Sequence, residues 1–150
     1  MKKILIAIDY NPTAEKVAET GYAVAKGLQS EVMLVHVITE AAYYAMDYSP
    51  IMGYTGSYTA GALELADDIR IKAESFLEAS KKHLADESIS TRVLKGEIAQ
   101  AILDYSIAWK ADLIVMGSHT HHGIDRLFTT DIAAYMLKHS KIPLLVIPTH

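Results

Sequence analysis

Five short apolar runs alternate along the chain with segments in which apolar residues recur at helical spacing. The runs are rich in β-branched residues and do not alternate between apolar and polar positions, which is typical of strands buried on both faces. Four of them lie at residues 3–8, 32–38, 112–116 and 143–147, and a weaker, more polar one lies at residues 90–95. Helical periodicity between them predicts four helices, over about 12–25, 61–84, 97–109 and 130–139. This strict alternation predicts one parallel sheet with helices on both faces.

The first helix carries its own start signal. Asn11 is followed by Pro12, and a capping side chain before a proline at the first helical position is typical of a helix N-terminus. We therefore expect the side chain of Asn11 to cap this helix.

Length and composition narrow the class of protein. A chain of 150 residues with 51% hydrophobic residues predicts a single globular domain over residues 1–150. The absence of cysteine excludes disulfides and thiolate metal sites, and a net charge of −4 argues against a nucleic-acid partner. No apolar run approaches the roughly 18–20 residues that span a bilayer, and the first one ends at Asp9, too short for a signal peptide. We expect a cytoplasmic protein without a membrane partner.

The ends of the first and fourth strands are the first candidates for a site, because open parallel sheets bind ligands at the carboxyl ends of their strands. Asp9 follows the first strand and Gly117 ends the fourth. A strand, a glycine turn and a helix N-terminus are the parts with which α/β proteins hold a phosphate. The carboxylate of Asp9 can accept hydrogen bonds from an adenine amino group or a ribose hydroxyl, or it can simply cap the turn. Both interpretations stay open.

Five segments, in order along the whole chain, resemble the universal stress protein family. They are Lys3 to Asp9, the Val-His-Val of the second strand, Gly96 before an isoleucine-rich helix, Ala111 to His119, and Lys141 to Pro148. The resemblance implies a flavodoxin-like (adenine nucleotide alpha hydrolase-like) α/β fold, with a doubly wound five-stranded parallel sheet in the order 3-2-1-4-5. It also implies a homodimer. An apolar last strand at a sheet edge needs to be covered, and antiparallel pairing with its own copy would do so, through Leu144, Leu145, Val146 and Ile147. The alternative is that a helix or the segment at residues 39–60 covers it.

The resemblance also implies that ATP binding depends on a sequence motif, because some members of the family bind ATP and others do not. The binding members carry Gly, two residues, Gly, nine residues, then Gly and Ser or Thr. In this chain Gly117 matches the first glycine, Thr120 and Thr130 stand at the other two, and Asp131 stands at the hydroxyl position. The candidate ligand residues are Asp9, Val37, Gly117, Ser118, His119, Thr120, Gly123, Thr130 and Asp131.

These departures are expected to weaken the binding of a triphosphate. A threonine side chain crowds the phosphates where glycine allows close backbone approach. The carboxylate of Asp131 would occupy the N–H groups of the helix start and would repel the anion. Two like charges 4 Å apart cost about 4 kcal/mol at an effective dielectric of about 20, or about a thousandfold in affinity. Weak binding of AMP or ATP stays open, and the cofactor stays unknown.

Histidine and tyrosine residues form three other features of the sequence. His119, His121 and His122 lie close together and could hold zinc or nickel, but we favour a solvated polar loop and predict no metal site. We expect the tyrosine-rich segment at 39–60 to be a mobile excursion, a lid or a partner surface. His36, inside an apolar strand, is expected to be a core histidine with a satisfied hydrogen bond.

The sequence contains no nucleophile elbow, no paired carboxylates and no zincin spacing, so we predict no enzyme activity. The leading hypothesis is a stress-response binding or signalling module with an impaired ATP loop, whose protein partners are unknown. The alternative is an ATP- or AMP-binding member that acts as a nucleotide-dependent switch. A weaker alternative is a metal-binding protein that uses the histidine loop.

Overall fold

The computed structural model describes residues 1–39, 58–118 and 132–149, without the side chains of residues 58–63 and 65. Strands and helices alternate along the chain, as the apolar runs predict. They are β1 (Lys3–Ala7), α1 (Ala14–Gly27), β2 (Glu31–Ile38), α2 (Tyr58–Leu84), β3 (Ser90–Lys95), α3 (Ile98–Trp109), β4 (Leu113–Gly117), α4 (Ile132–His139) and β5 (Leu144–Ile147). None of the helices in these ranges combines the length and the apolar character that crossing a bilayer requires.

All five strands are parallel, and their order is β3-β2-β1-β4-β5. This confirms the predicted fold class and strand order. The central strand is β1, in which Ile6 lies opposite Leu34 of β2 and Val115 of β4. The chain order reverses on either side of β1, so the carboxyl ends of β1, β2 and β4 meet at one edge of the sheet.

Each face of the sheet has its own apolar core, because successive side chains of a strand point to opposite faces. Ile4 and Ile6 of β1 pack on one side with α1 and α2, and Leu5 packs on the other with α3 and α4. All three side chains are fully buried. The non-alternating apolar runs are thus explained by strands that are covered on both faces.

The start of α1 differs from the prediction that Asn11 caps it. The helix begins at Ala14, and its N-cap residue is Thr13, which makes no side-chain cap. Asn11 Oδ1 instead accepts hydrogen bonds from Thr13 N (3.0 Å) and Thr13 Oγ1 (2.7 Å). This is an Asx turn, in which the asparagine side chain mimics a backbone turn ahead of the helix. The expected cap is therefore wrong, since the asparagine side chain is used two residues before the cap position.

The other helices fall close to their predicted positions. Helix α2 begins three residues before the expected start at Gly61 and ends at Leu84 as predicted. Helix α3 is capped by Glu97, whose carboxylate accepts from Ala99 N and Gln100 N. Helix α4 begins at Ile132, and the two residues before it in the prediction lie outside the described ranges.

Candidate functional site

A cleft of about 450 Å³ lies where β1, β2 and β4 end. The loop after β1 and the ends of β2 and β4 line this cleft. Residues that line it include Asp9, Asn11, His36, Val37, Gly117 and Thr149. Two residues 108 positions apart in the sequence, Asp9 and Gly117, are thus brought to the same cleft, as the strand ends predict.

Asp9 stabilises the loop after β1. Its Oδ1 accepts a hydrogen bond from Asn11 N at 3.1 Å. The turn interpretation of this residue is therefore correct, and the same side chain lines the cleft. A carboxylate in such a position is a hydrogen-bond acceptor for any amino or hydroxyl group that enters.

His36 is buried, with 6% of its surface exposed, and its Nδ1 lies 2.9 Å from the carbonyl oxygen of Ile8. Since a carbonyl only accepts, Nδ1 carries the proton and donates. Burial lowers the pKa of His36, against smaller opposite effects of the Ile8 hydrogen bond and the Asp9 charge. The neutral imidazole is therefore favoured, with the lone pair on Nε2. The expectation of a core histidine with a satisfied hydrogen bond is confirmed.

An aromatic group stands beside the cleft on the α1–α2 side of the sheet. The ring of Tyr10 lies 4.4 Å from the ring of His36 and 4.9 Å from that of Phe76, measured between centroids. Lys72 Nζ lies over the Tyr10 ring, 5.3 Å from its centre. Tyr10 and His36 both line the cleft, which gives it a polarisable wall suited to a flat ring. Sequence reasoning missed this role of His36 and Tyr10, although His36 lies two residues before the end of β2 and Tyr10 lies three residues after the end of β1.

Gly117 has a packing reason to lack a side chain. A Cβ atom built on it would lie 2.9 Å from Thr149 Cγ2 and 3.2 Å from Val17 Cγ2. Next to it, Ser118 N donates to the carbonyl oxygen of Ile147 (2.9 Å), and Thr149 N donates to Ser118 Oγ (3.1 Å). This end of the cleft is therefore held together by the residues that follow β4 and β5.

Only part of the predicted site falls within the described ranges. Asp9, Val37 and Gly117 line the cleft, and Ser118 follows directly after Gly117. The rest of the predicted loop, and most of the tyrosine-rich segment at 39–60, lie outside the described residues. The loop residues concerned are His119, Thr120, His121, His122, Gly123, Thr130 and Asp131.

A doubly wound parallel sheet with a cleft at the point where its strand order reverses is the arrangement in which open α/β proteins bind their ligands. Within this class the chain belongs to the universal stress protein family. The sequence pattern of that family matches residues 1–148.

Known relatives agree with this assignment. Universal stress protein MJ0531 of Methanocaldococcus jannaschii is 29% identical over 150 residues, which cover 97% of this chain and 81% of the relative. The solved structure of MJ0577, from the same organism, superposes with a TM-score of 0.76 at 25% identity and covers 99% of this chain and 96% of that one.

Two more distant solved structures share the fold. A universal stress protein from Archaeoglobus fulgidus in complex with dAMP has a TM-score of 0.61 at 19% identity, covering 98% of both chains. A universal stress protein in complex with cAMP has a TM-score of 0.62 at 14% identity, covering 99% of this chain and 98% of the other.

Proposed function

We propose that this protein is a stress-response binding module whose cleft takes an adenine nucleoside or nucleotide by its base and sugar and holds a triphosphate only weakly. The observation that carries this proposal is the cleft itself, in which Asp9, Val37 and Gly117 converge from three strand ends. The dAMP and cAMP complexes of proteins with the same fold support an adenine ligand.

The end of β2 offers the base a backbone donor and acceptor. Val35 O accepts from Ile8 N (3.0 Å) on the β1 side, and Ile38 O accepts from Gly96 N (3.1 Å) on the β3 side. Because backbone groups alternate along a strand, Val37 turns its N–H and C=O toward β1. The last residue of β1 in register is Ala7, opposite Val35, so Val37 lies beyond the paired part of that strand. An adjacent donor and acceptor match the amino group and ring nitrogen on the edge of adenine.

The opposite end of the cleft is less suited to a phosphate chain. Gly117 is retained, but the sequence places Thr120, Thr130 and Asp131 where ATP-binding relatives have Gly, Gly and a hydroxyl. Bulk and negative charge at those positions oppose a triphosphate. We therefore assign AMP or adenosine, rather than ATP, as the ligand class, and we assign no catalytic residue.

Ligand release tests the proposal directly. Protein purified without added nucleotide is denatured, and the released small molecules are identified by mass spectrometry. Titration calorimetry of the emptied protein with adenosine, AMP and ATP then ranks the three ligands. We expect AMP or adenosine to bind more tightly than ATP. Stoichiometric ATP in the released fraction would overturn the proposal that the ATP loop is impaired. If no adenine compound binds, the proposal of an adenine ligand is wrong.

The loop substitutions give the first specific prediction. The triple variant T120G/T130G/D131S is expected to bind ATP about a hundredfold to a thousandfold more tightly than the parent chain, because the bulk and the like charge are both removed. The matched double variant T120G/T130G separates the two effects, and AMP affinity is measured in parallel as a control. A triple variant with the ATP affinity of the parent contradicts the explanation.

A further inference from the structure

Three side chains that can bind a metal ion join α1 to α2 outside the cleft. Glu15 and Glu19 lie on α1, and His83 lies in the last turn of α2. Their ligand atoms, one carboxylate oxygen from each glutamate and one imidazole nitrogen, all lie within 4.8 Å of one another. The cleft is lined by none of these three residues. The cluster is therefore separate from the site described above.

The two helices present these groups to the same point. Residues four positions apart on a helix share a face, and the same spacing supplies two ligands to one metal ion in helical zinc sites. The neighbouring helix supplies the third ligand. The side chains of Glu15, Glu19 and His83 are 62%, 56% and 44% exposed, so an ion can reach them from solvent. The same exposure leaves room for water as a fourth ligand.

The cluster carries more negative than positive charge. His83 Nε2 lies 2.7 Å from Glu19 Oε1 and 2.9 Å from Glu15 Oε1. Because Nε2 carries at most one hydrogen, it donates to Glu19 and holds Glu15 by charge alone. Within the described part of the chain, the ion pairs of both glutamates are with this one histidine. Two carboxylates thus face at most one positive charge.

A divalent cation in place of that hydrogen would bond to all three groups. The ligand atoms of a tetrahedral zinc site stand about 3.3–3.5 Å apart, because each lies about 2.0–2.2 Å from the ion. The separations in the cluster, 2.7 and 2.9 Å to the nitrogen and at most 4.8 Å overall, lie on either side of this value. Small rotations of exposed side chains therefore suffice. One imidazole and two carboxylates suit zinc, whereas magnesium and calcium prefer oxygen ligands alone.

We propose that Glu15, Glu19 and His83 form a zinc site that clips α1 to α2, with water as the fourth ligand. When the ion binds, Nε2 releases its proton to solvent and its lone pair bonds to the metal. Such an ion stabilises the folded chain, because the unfolded chain does not hold these ligands together. The sequence prediction of no metal site rests on spacing along the chain, which does not show ligands 64 residues apart.

Zinc titration tests this site at pH 8, where the imidazole gives up its proton more easily. The protein is tag-free and stripped of metal with EDTA. The reference chain is H119S/H121S/H122S, because the three loop histidines could bind zinc themselves. We expect calorimetry to show one bound zinc per chain. Thermal melting should show a midpoint higher by about 5–10 °C when free zinc reaches about a hundred times its Kd. Magnesium should do neither.

Two histidine variants of the reference chain locate the site. His83→Gln should lose the bound zinc and the thermal shift. His139→Gln should keep both, since it removes an exposed histidine whose Nδ1 lies 2.9 Å from the carbonyl oxygen of Tyr135, away from this cluster. If the reference chain binds no zinc, or if His83→Gln binds it as tightly, the proposal is wrong.

A second substitution keeps the test decisive. Should His83→Gln fail to fold, as judged by circular dichroism, Glu19→Gln takes its place and is expected to lose the zinc as well. Glutamine keeps the size of the side chain but removes the charge that the metal needs. Zinc bound by Glu19→Gln as tightly as by the reference chain would overturn the site. Each of these outcomes leaves the proposed function of the cleft unaffected, since the cleft is lined by other residues.

Discussion

A missing side chain decides how closely α1 approaches the sheet. A Cβ atom on Gly21 would lie 2.9 Å from Ile6 Cδ1 and 3.0 Å from Val115 Cγ1, and both side chains are fully buried. Gly27 is the last residue of α1, and a Cβ atom built on it would have no neighbouring atom within 4 Å. The two glycines thus share a helix but have opposite surroundings.

This contrast gives a matched pair of substitutions. Alanine is favoured over glycine in a helix by about 1 kcal/mol, whereas overpacking a filled core costs about 1–3 kcal/mol. We expect Gly21→Ala to lower the free energy of unfolding by about 1–2 kcal/mol, and Gly27→Ala to leave it unchanged or raise it by up to about 1 kcal/mol. Urea denaturation of both variants measures this. If the two substitutions change the free energy of unfolding by the same amount, crowding at Gly21 does not destabilise the variant.

At the scale of elements, polar contacts join α1 to α2 at the rim of the core. His83 Nε2 lies 2.7 Å from Glu19 Oε1 and 2.9 Å from Glu15 Oε1. Tyr22 also donates to Asp86 in the turn after α2, at 2.7 Å. Hydrogen bonds from Ser88 and Tyr22 lower the pKa of Asp86 to about 2. The glutamates, by hydrogen bond and charge, raise the pKa of His83.

The histidine contact predicts a pH dependence with a definite sign. Because the folded state raises the pKa of His83 above its ordinary 6.5, the folded state binds the proton more tightly than the unfolded chain does. Its stabilising effect is full below pH 6.5 and is lost as the pH rises through the raised value. The difference in unfolding free energy between the parent and His83→Gln should therefore be largest at pH 5–6 and shrink toward pH 9, as measured by urea denaturation.

Glu74→Gln is the control for this measurement, since it removes an exposed contact with Arg70 (3.6 Å) that involves no histidine. Its difference from the parent should stay level over the same pH range. A His83→Gln difference that is level as well would mean that the contact with Glu15 and Glu19 does not form in solution.

Elements were easier to predict than their ends. An apolar run such as residues 112–116 identifies a buried strand, because burial on both faces leaves no other composition stable. The predicted start of α1 is wrong, because Asn11 can either cap a helix or close a turn. The sequence pattern does not distinguish these two local hydrogen bonds, which are of similar strength. The ends of the predicted strands also identify Asp9 and Gly117 as residues that line the cleft. The apolar pattern predicts that His36 is buried. It does not predict that His36 lines the cleft, because that depends on how the strands lie side by side.

At the scale of the whole molecule, the two sheet edges differ in character. Strand β5 forms one edge, and three of its four apolar residues stay partly exposed in the single chain. Strand β3 forms the other edge and carries charged residues, including Arg92 and Lys95. Charges protect an edge from pairing, whereas an apolar edge favours it. We propose a homodimer in which β5 pairs with its own copy across a two-fold axis.

Valines at the two edges supply the test. Val146→Lys places a charge on β5 and should convert a dimer into a monomer or an aggregate, as measured by sedimentation velocity. Val93→Lys makes the same change on β3 and should keep the dimer. If Val146→Lys still sediments as a dimer, pairing through β5 is ruled out.

The hydrogen bonds around Ser118 have a consequence for how such variants are interpreted. Ser118 N is bonded to the carbonyl oxygen of Ile147, the last residue of β5, and Ser118 Oγ receives the N–H of Thr149, which lines the cleft. One short stretch of chain therefore belongs both to the subunit contact proposed here and to the ligand pocket. In a dimer of this kind, the same hydrogen bonds would border both the subunit contact and the cleft, so ligand affinity should be measured together with the dimer dissociation constant for every β5 variant.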